Sequence, residues 1–220
     1  MANRASEALW YPFDAAWYRT EYGTIMDALT SFSDRELEHW YKTEGAPSGH
    51  SPNRYFNEEW YRMNCSEAAE AIANGTCTSG FEHYCNGGYK HFSPHYLFSE
   101  RYYLKRYPDI AGQTQQSGKF VNGYDHFLRH GDTEKRSGHL FFDPDVYLKN
   151  KPSDLDTNSL TPFMSLLHSP GTLPNSIALS DQFDPAWYGA LKPDALMAVE
   201  YGFAPNVLYQ FLSNFTPDRF

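Results

Sequence analysis

One marker recurs five times along the chain, and nothing else in the sequence constrains the fold as strongly. It is Phe, a short polar residue, two variable residues, a large apolar residue and Tyr. It reads Phe13-Asp14-Ala15-Ala16-Trp17-Tyr18, Phe56-Asn57-Glu58-Glu59-Trp60-Tyr61 and Phe98-Ser99-Glu100-Arg101-Tyr102-Tyr103, then Phe142-Asp143-Pro144-Asp145-Val146-Tyr147 and Phe183-Asp184-Pro185-Ala186-Trp187-Tyr188. Successive Phe residues are 43, 42, 44 and 41 positions apart. A fixed step of this size is the sequence signature of a repeat array.

The marker has a physical reading. Asp14, Asn57, Ser99, Asp143 and Asp184 are all good helix N-caps, because a short oxygen-bearing side chain can accept from the free N–H groups of the first turn. Pro144 and Pro185 fall at the first helical position, where a missing N–H does no harm. Phe before the cap and Tyr four residues after it have the spacing of a hydrophobic staple. Each unit therefore opens with a short capped helix, and in the third copy that helix should stop at Tyr107-Pro108. A second helix is expected in each unit: Leu37–Tyr41 before Gly45, Phe81–Cys85 before Gly87, and Gly123–His130 with Gly131 as its C-terminal glycine. Looser versions run Phe163–Leu167 and Leu208–Leu212. Two short helices cannot bury their aromatic faces alone, whereas stacked neighbours can. The expectation is an all-α, solenoid-like array of five helical-hairpin repeats of about 42 residues, forming a single domain over residues 1–220. Thr216-Pro217-Asp218-Arg219-Phe220 reads as the lead-in to a sixth copy.

Composition fits this and excludes some functions. Aromatics make up 17% of the chain, enough for a core, and a mean hydropathy of −0.63 requires polar residues between them. A net charge of −9 opposes non-specific binding to nucleic acid, which needs clustered Lys and Arg. No apolar stretch approaches the roughly 20 residues of a membrane-spanning helix. No cleavable signal is visible in Met1–Pro12, and Cys65, Cys77 and Cys85 lack a framework spacing. The reading is a cytoplasmic protein, with secretion lacking a cleavable signal as the alternative.

The third copy carries a resemblance. Tyr102-Tyr103-Leu104-Lys105-Arg106-Tyr107-Pro108-Asp109-Ile110-Ala111 is followed by His126-Phe127-Leu128-Arg129-His130-Gly131-Asp132-Thr133-Glu134-Lys135-Arg136-Ser137. This resembles a bacterial repeat of the form Phe-Asp-x-x-Tyr-Tyr-Leu-x-x-Asn-Pro-Asp-Val-Ala, then His-Tyr-Leu-x-x-Gly-x-x-Glu-Gly-Arg. Such repeats accompany glycosyltransferase domains of surface-polysaccharide assembly and occur in large secreted proteins of the RTX type. Copy one has Glu21-Tyr22-Gly23 where Asn-Pro-Asp is expected, and copies four and five lack the Gly-x-x-Glu-x-Arg segment. The resemblance brings no catalytic residue with it.

Candidate chemistry is sparse. His39, His83 and His126 each follow an acid and are read as one repeat position, replaced by Ser165 and Gln210 in copies four and five. A position that accepts His, Ser or Gln reads as a hydrogen-bonding post between repeats, and adjacent residues on a helix do not face each other as a dyad would. His91 and His95 have a metal-binding spacing only if helical, which Pro94 opposes. Asp143-Pro144-Asp145 and Asp154-Leu155-Asp156 match the short acidic motif of many glycosyltransferases, but no nucleotide-binding βαβ unit or phosphate loop accompanies them. The equivalent Trp17, Trp60 and Trp187 suit either core or a sugar-stacking surface.

The sequence thus weighs against an enzyme, a metal or a cofactor. It favours a repeat module that binds a glycan or docks a protein partner in surface-polysaccharide biosynthesis. The alternatives are an accessory part of a glycosyltransferase and a structural repeat that oligomerises. The candidate binding surface is His126, His130, Glu134 and Arg136, on the one copy that keeps the full segment from Gly131 to Arg136.

Overall fold

The computed structural model describes residues 4–23, 26–115, 118–152, 160–168, 175 and 177–214. The acidic motif at 154–156 and the lead-in at 216–220 lie outside these residues. Copy one holds α1 (Ala15–Tyr22), a 3-10 turn (Asp27–Ser31) and α2 (Asp34–Trp40). Copy two holds α3 (Glu58–Asn64), α4 (Ser66–Ala73) and α5 (Gly80–Cys85). Copy three holds α6 (Glu100–Arg106), α7 (Pro108–Gln115) and α8 (Gly123–His126). Copy four holds α9 (Pro144–Asn150) and α10 (Pro162–His168). Copy five holds α11 (Pro185–Leu191), α12 (Pro193–Glu200) and α13 (Val207–Ser213). The fold is all-α: no strand occurs among the described residues, only isolated bridges at His139–Phe142 and Ser180–Phe183.

The caps and staples recur at every marker. The side chains of Asp14, Asn57, Ser99, Asp143 and Asp184 each accept from a first-turn N–H. The Phe and Tyr rings of each marker pack together, with centroids 5.2, 5.1, 5.3, 6.0 and 5.5 Å apart in chain order. The hairpin expectation needs correction: copies two, three and five have three helices. Tyr107 and Lys192 each precede a proline and break the first helix. The same proline suits the first helical position, so a new helix starts at once instead of a loop.

The cap residue also joins copies. Its own backbone N–H donates to a carbonyl four residues before the next Phe: Asp14 to Pro52 at 3.1 Å, Asn57 to Pro94 at 2.9 Å, Ser99 to Gly138 at 2.9 Å and Asp143 to Leu179 at 2.8 Å. Serines add to this seam at the first helical residue of copies two and three. Glu58 N donates to Ser51 Oγ at 3.0 Å and Glu100 N to Ser93 Oγ at 2.9 Å. Pro144 has no N–H to satisfy, and Ser137 turns instead to the carbonyls of His139 and Phe142.

Buried carboxylates seat the last helix of three copies. Glu58 accepts from Gly80 and Phe81 N–H, Glu100 from Gly123 and Tyr124 N–H, and Asp132 from Phe163 and Met164 N–H. Burial pushes the Glu100 carboxyl up to about 7. Glu58 has Arg62 beside it at 2.5 Å.

Gly45 and Gly131 do not act as the left-handed helix stops expected from the sequence. Each lies inside a π-helical turn, Tyr41–Gly45 or Phe127–Gly131, and neither has positive φ. Glycine is needed there for room: a Cβ would come within 2.4 Å of the Tyr18 hydroxyl at Gly45 and within 2.3 Å of the Tyr103 hydroxyl at Gly131. The true left-handed residues close the following turn, Gly49 at φ 93° and Lys135 at φ 54°.

Buried apolar side chains form two clusters. The smaller belongs to copy one, around Tyr18, Leu29, Leu37 and Tyr41. The larger runs through copies two to five and takes in Ala5, Ala8 and Trp10. A linear stack would let each copy touch only its neighbours, but here distant copies meet. Trp60 packs edge-on to Tyr209 at 5.7 Å, and Asn206 Nδ2 donates to Tyr96 Oη at 2.9 Å. The first residues fold back as well: Trp10 Nε1 donates to Asn122 Oδ1 at 3.2 Å, and its ring meets Tyr84 at 4.7 Å. The last helix of copy five, α13, packs on α3, so a distant copy covers part of the aromatic face of copy two.

Phe98 is 1% exposed, whereas Phe13, held by the smaller cluster, is half-buried. Phe98→Ala should therefore cost about 3–5 kcal/mol and Phe13→Ala about 1–2 kcal/mol. Urea unfolding of both variants checks this, and equal losses would contradict the packing described.

Candidate functional site

The staple tyrosines present buried hydroxyls that need partners, and the repeat supplies them. Tyr61 Oη hydrogen-bonds with His83 Nδ1 at 2.9 Å, Tyr103 Oη with His126 Nδ1 at 2.9 Å, and Tyr147 Oη with Ser165 Oγ at 2.6 Å. The hydrogen-bonding post read from the sequence is thus present at His83, His126 and Ser165. It links helices within one copy, not successive copies. His39 does not share it: it is exposed, and Tyr18 Oη pairs with His50 Nδ1 at 2.7 Å. Leu37 stands four residues after the Ser33 cap, where His83 follows Ser79 and His126 follows Asn122, so the histidine alignment was two residues out of register in copy one.

His126, His130, Glu134 and Arg136 do come together. With Asp109, Lys119 and Phe120 they line a recess of about 220 Å³ on copy three. The Arg136 guanidinium is committed within it. It donates to Glu134 at 2.5 Å and to both oxygens of Asp109 at 3.4 and 3.2 Å, and it lies over the Tyr107 ring at 4.7 Å. His126 is buried, with Phe120 edge-on at 4.7 Å. Burial holds its pKa down at about 4. Copy one repeats this corner with different residues: His50 stacks on Tyr22 at 3.9 Å, and Ser51 N donates to Tyr22 Oη as Ser137 N does to Tyr107 Oη. The recurrence marks the corner as part of the repeat's own packing.

A larger cavity escaped sequence reading. A crevice of about 500 Å³ opens where copies one, two, four and five converge. Ligand pockets generally occupy about 300–1,000 Å³, a range that excludes the recess on copy three and includes this crevice together with two more open recesses, of about 570 Å³ beside Phe13 and Arg35 and about 540 Å³ beside His39 and Trp40. Trp17, Tyr22 and Tyr96 contribute aromatic wall, and Arg54, Glu21 and Glu59 contribute charge. Leu166 of copy four and Ala204 of copy five close the far side. Arg54 is anchored between copies, 3.8 Å from Asp14 Oδ2 and hydrogen-bonded to the His168 ring. Trp17, Phe56, Asn57 and Glu59 lie within markers, but nothing in the sequence joins the first marker to the second, and Leu166 and Ala204 arrive through contacts between distant copies.

The three equivalent tryptophans part company. Trp60 is 5% exposed and belongs to the core, Trp17 borders the crevice, and Trp187 is 63% exposed. Near Trp187 in the chain, Tyr201 and Phe203 are 65% and 76% exposed. Cys65 and Cys77 are buried and Cys85 is half-buried, none of them in a disulfide, and burial pushes all three thiols upward in pKa. Among the described residues no group of three His, Cys, Asp or Glu side chains is placed to hold a metal, and no helix is long and apolar enough to cross a membrane.

In comparisons with known proteins, no family model, no curated protein and no solved structure matches the chain.

Two outcomes follow for copy three. Arg136→Ala removes a stacked, doubly paired guanidinium and should lower stability by about 1–2 kcal/mol. A melting curve unchanged from the parent would show that the Arg136 pairing does not hold the fold. Acid should also destabilise the chain. Burial holds His126 and His139 near 4 and His95 near 3, below the 6.5 of an unfolded histidine. Their neutral rings favour the fold fully above pH 6.5, and that stability is lost as pH falls toward 4. The Glu100 carboxyl, raised to about 7, works in the opposite sense and gains stability over the same fall in pH. Unfolding free energy from pH 7 to 4 should therefore drop less than the three histidines alone would give. His126→Gln should flatten that drop, with the parent His126 ring still neutral at pH 5.5 by NMR.

Proposed function

We propose that this chain is a non-catalytic helical-repeat module that binds a short glycan in the crevice between copies one, two, four and five, in the setting of bacterial surface-polysaccharide assembly. The observation that carries the reading is the crevice itself: a cavity of about 500 Å³ whose lining includes the rings of Trp17 and Tyr22 and the polar groups of Arg54, Glu21 and Glu59. Aromatic rings offer stacking faces to the C–H side of a sugar, and a few fixed polar groups orient its hydroxyls. The polysaccharide setting rests on the resemblance of copy three, and the array of copies serves as scaffold for the crevice. The recess at His126, His130, Glu134 and Arg136 takes a supporting role in this reading, since the Arg136 donors already have acceptors.

A second reading, docking of a protein partner, is favoured by one observation. The most exposed aromatic rings, Trp187, Tyr201 and Phe203, gather on copy five instead of spreading evenly along the chain. That distribution also speaks against a uniform spacer.

A glycan-array screen followed by calorimetry tests the leading reading. Trp17→Ala should weaken binding of the selected oligosaccharide by at least about tenfold, the order of one lost stacking contact, with the circular dichroism spectrum unchanged. Binding that ignores Trp17 would remove the crevice from consideration. Hydrolysis or transfer of the sugar would overturn the non-catalytic reading.

A further inference from the structure

The seam that joins successive copies stays open at copy five. In copies one to four the cap residue is half-buried, and its backbone N–H donates to the lead-in of the next copy. In copy five the cap, Asp184, is exposed, and its N–H finds no such carbonyl among the described residues. The large apolar residue of the marker is left uncovered in the same way. Trp60 packs against Tyr96, a lead-in residue of copy three, with ring centroids 6.1 Å apart. Trp187, at the same position of copy five, has no aromatic ring against it among the described residues and is 63% exposed. Leu191, one turn further along α11, is exposed as well. At the other end of the array the lead-in of copy one is also uncovered. No residue is exposed in the lead-ins 52–56, 94–98 and 138–142, whereas Leu9, Tyr11 and Pro12 are exposed in 9–13. Tyr11 stands two residues before Phe13, as Tyr96 stands two residues before Phe98. The Leu9 carbonyl, four residues before Phe13, accepts no hydrogen bond among the described residues.

We infer that the exposed face of copy five docks the lead-in of copy one from a second copy of this chain, so that chains associate head to tail through the contact that already joins copies within one chain. Continuity with the seam identifies the occupant. The surface left open at Asp184 and Trp187 is the one that a lead-in covers at earlier copies, and the lead-in with exposed apolar residues to offer is that of copy one. Tyr11 of the second chain packs on Trp187 as Tyr96 packs on Trp60, an aromatic pair that withdraws two exposed rings from water. The two faces differ, so the contact is heterologous: a pair of chains still carries one free face of each kind, and association continues until a ring closes or a filament forms. This gives the protein-docking reading its partner. It does not involve the crevice, so the glycan reading stands or falls separately.

Sedimentation equilibrium on the full chain and on two blocked variants provides the test. The weight-average mass of the parent should rise above that of one chain over about a hundredfold range of concentration. Tyr11→Asp and Trp187→Asp each alter an exposed ring, and each variant alone should stay monomeric with an unchanged circular dichroism spectrum. Mixed in equal amounts, the two should form a dimer and nothing larger, because Tyr11→Asp still offers copy five and Trp187→Asp still offers copy one. Tyr11 also lies 6.2 Å from Phe81, so Leu9→Lys serves as a second variant that blocks the same face without touching that ring pair. A parent that stays monomeric at every concentration would overturn the inference. Association of Tyr11→Asp and Leu9→Lys at the parent's level would overturn it too, since copy five would then meet some other surface. A mixture of the blocked variants that stays monomeric would do the same. Oligosaccharide binding through Trp17 is read separately, and none of these outcomes changes it.

Discussion

The residue after each of the first four marker Phe residues is where two hydrogen bonds in different directions meet. Its side chain accepts from the first turn of its own helix, and its backbone N–H donates to the lead-in of the next copy. Each bond contributes only about 1 kcal/mol, but together they couple the start of a helix to the position of its neighbour. The lead-in held this way delivers the next Phe into the core, and that Phe precedes the next cap. The seam therefore propagates from copy to copy through one short segment, and the Phe–Tyr staple supplies the apolar burial that makes ordering it favourable.

The staple imposes its own conditions. Its Tyr ring is buried, so the hydroxyl needs both a partner and space. His83, His126 and Ser165 provide the partner, and His50 does so from a different position in copy one. Glycine provides the space at Gly45, Gly88 and Gly131, where a Cβ would approach the hydroxyl to 2.4, 2.3 and 2.3 Å. These residues look like potential active-site histidines and helix-stopping glycines along the sequence. In three dimensions they serve one buried hydroxyl. The same logic explains why an Arg–Glu–Asp cluster on copy three, suited to recognising a ligand, is largely spent on its own corner.

A repeat built this way has surfaces that its own seam does not define. Where copy five closes on copy two through Trp60, Tyr96 and Tyr209, the neighbouring walls of copies one and four leave a crevice. Its lining mixes marker residues, Trp17, Phe56 and Asn57, with residues outside the cap, staple and post such as Tyr22 and Arg54, which are free to differ between copies. Function in such an array is expected at variable positions, because the invariant ones are held by packing.

The sequence by itself determined the local rules. The all-α class, the five caps, the Phe–Tyr pairs and the break before Pro108 are all consequences of side chains within a few residues of each other, which periodicity and capping chemistry reveal. It also placed His126, His130, Glu134 and Arg136 close together, since one helical turn and the corner after it fix their spacing. Tertiary structure decided the rest. The middle helices appeared because a proline that ends one helix also suits the start of another, a choice settled by packing. The register of His39, the role of Gly131 and the commitment of Arg136 to Asp109 each depended on a residue more than twenty positions away in sequence or on a neighbouring helix. The crevice depended on copies meeting out of chain order, and no pattern confined to one repeat can encode where two distant repeats will touch.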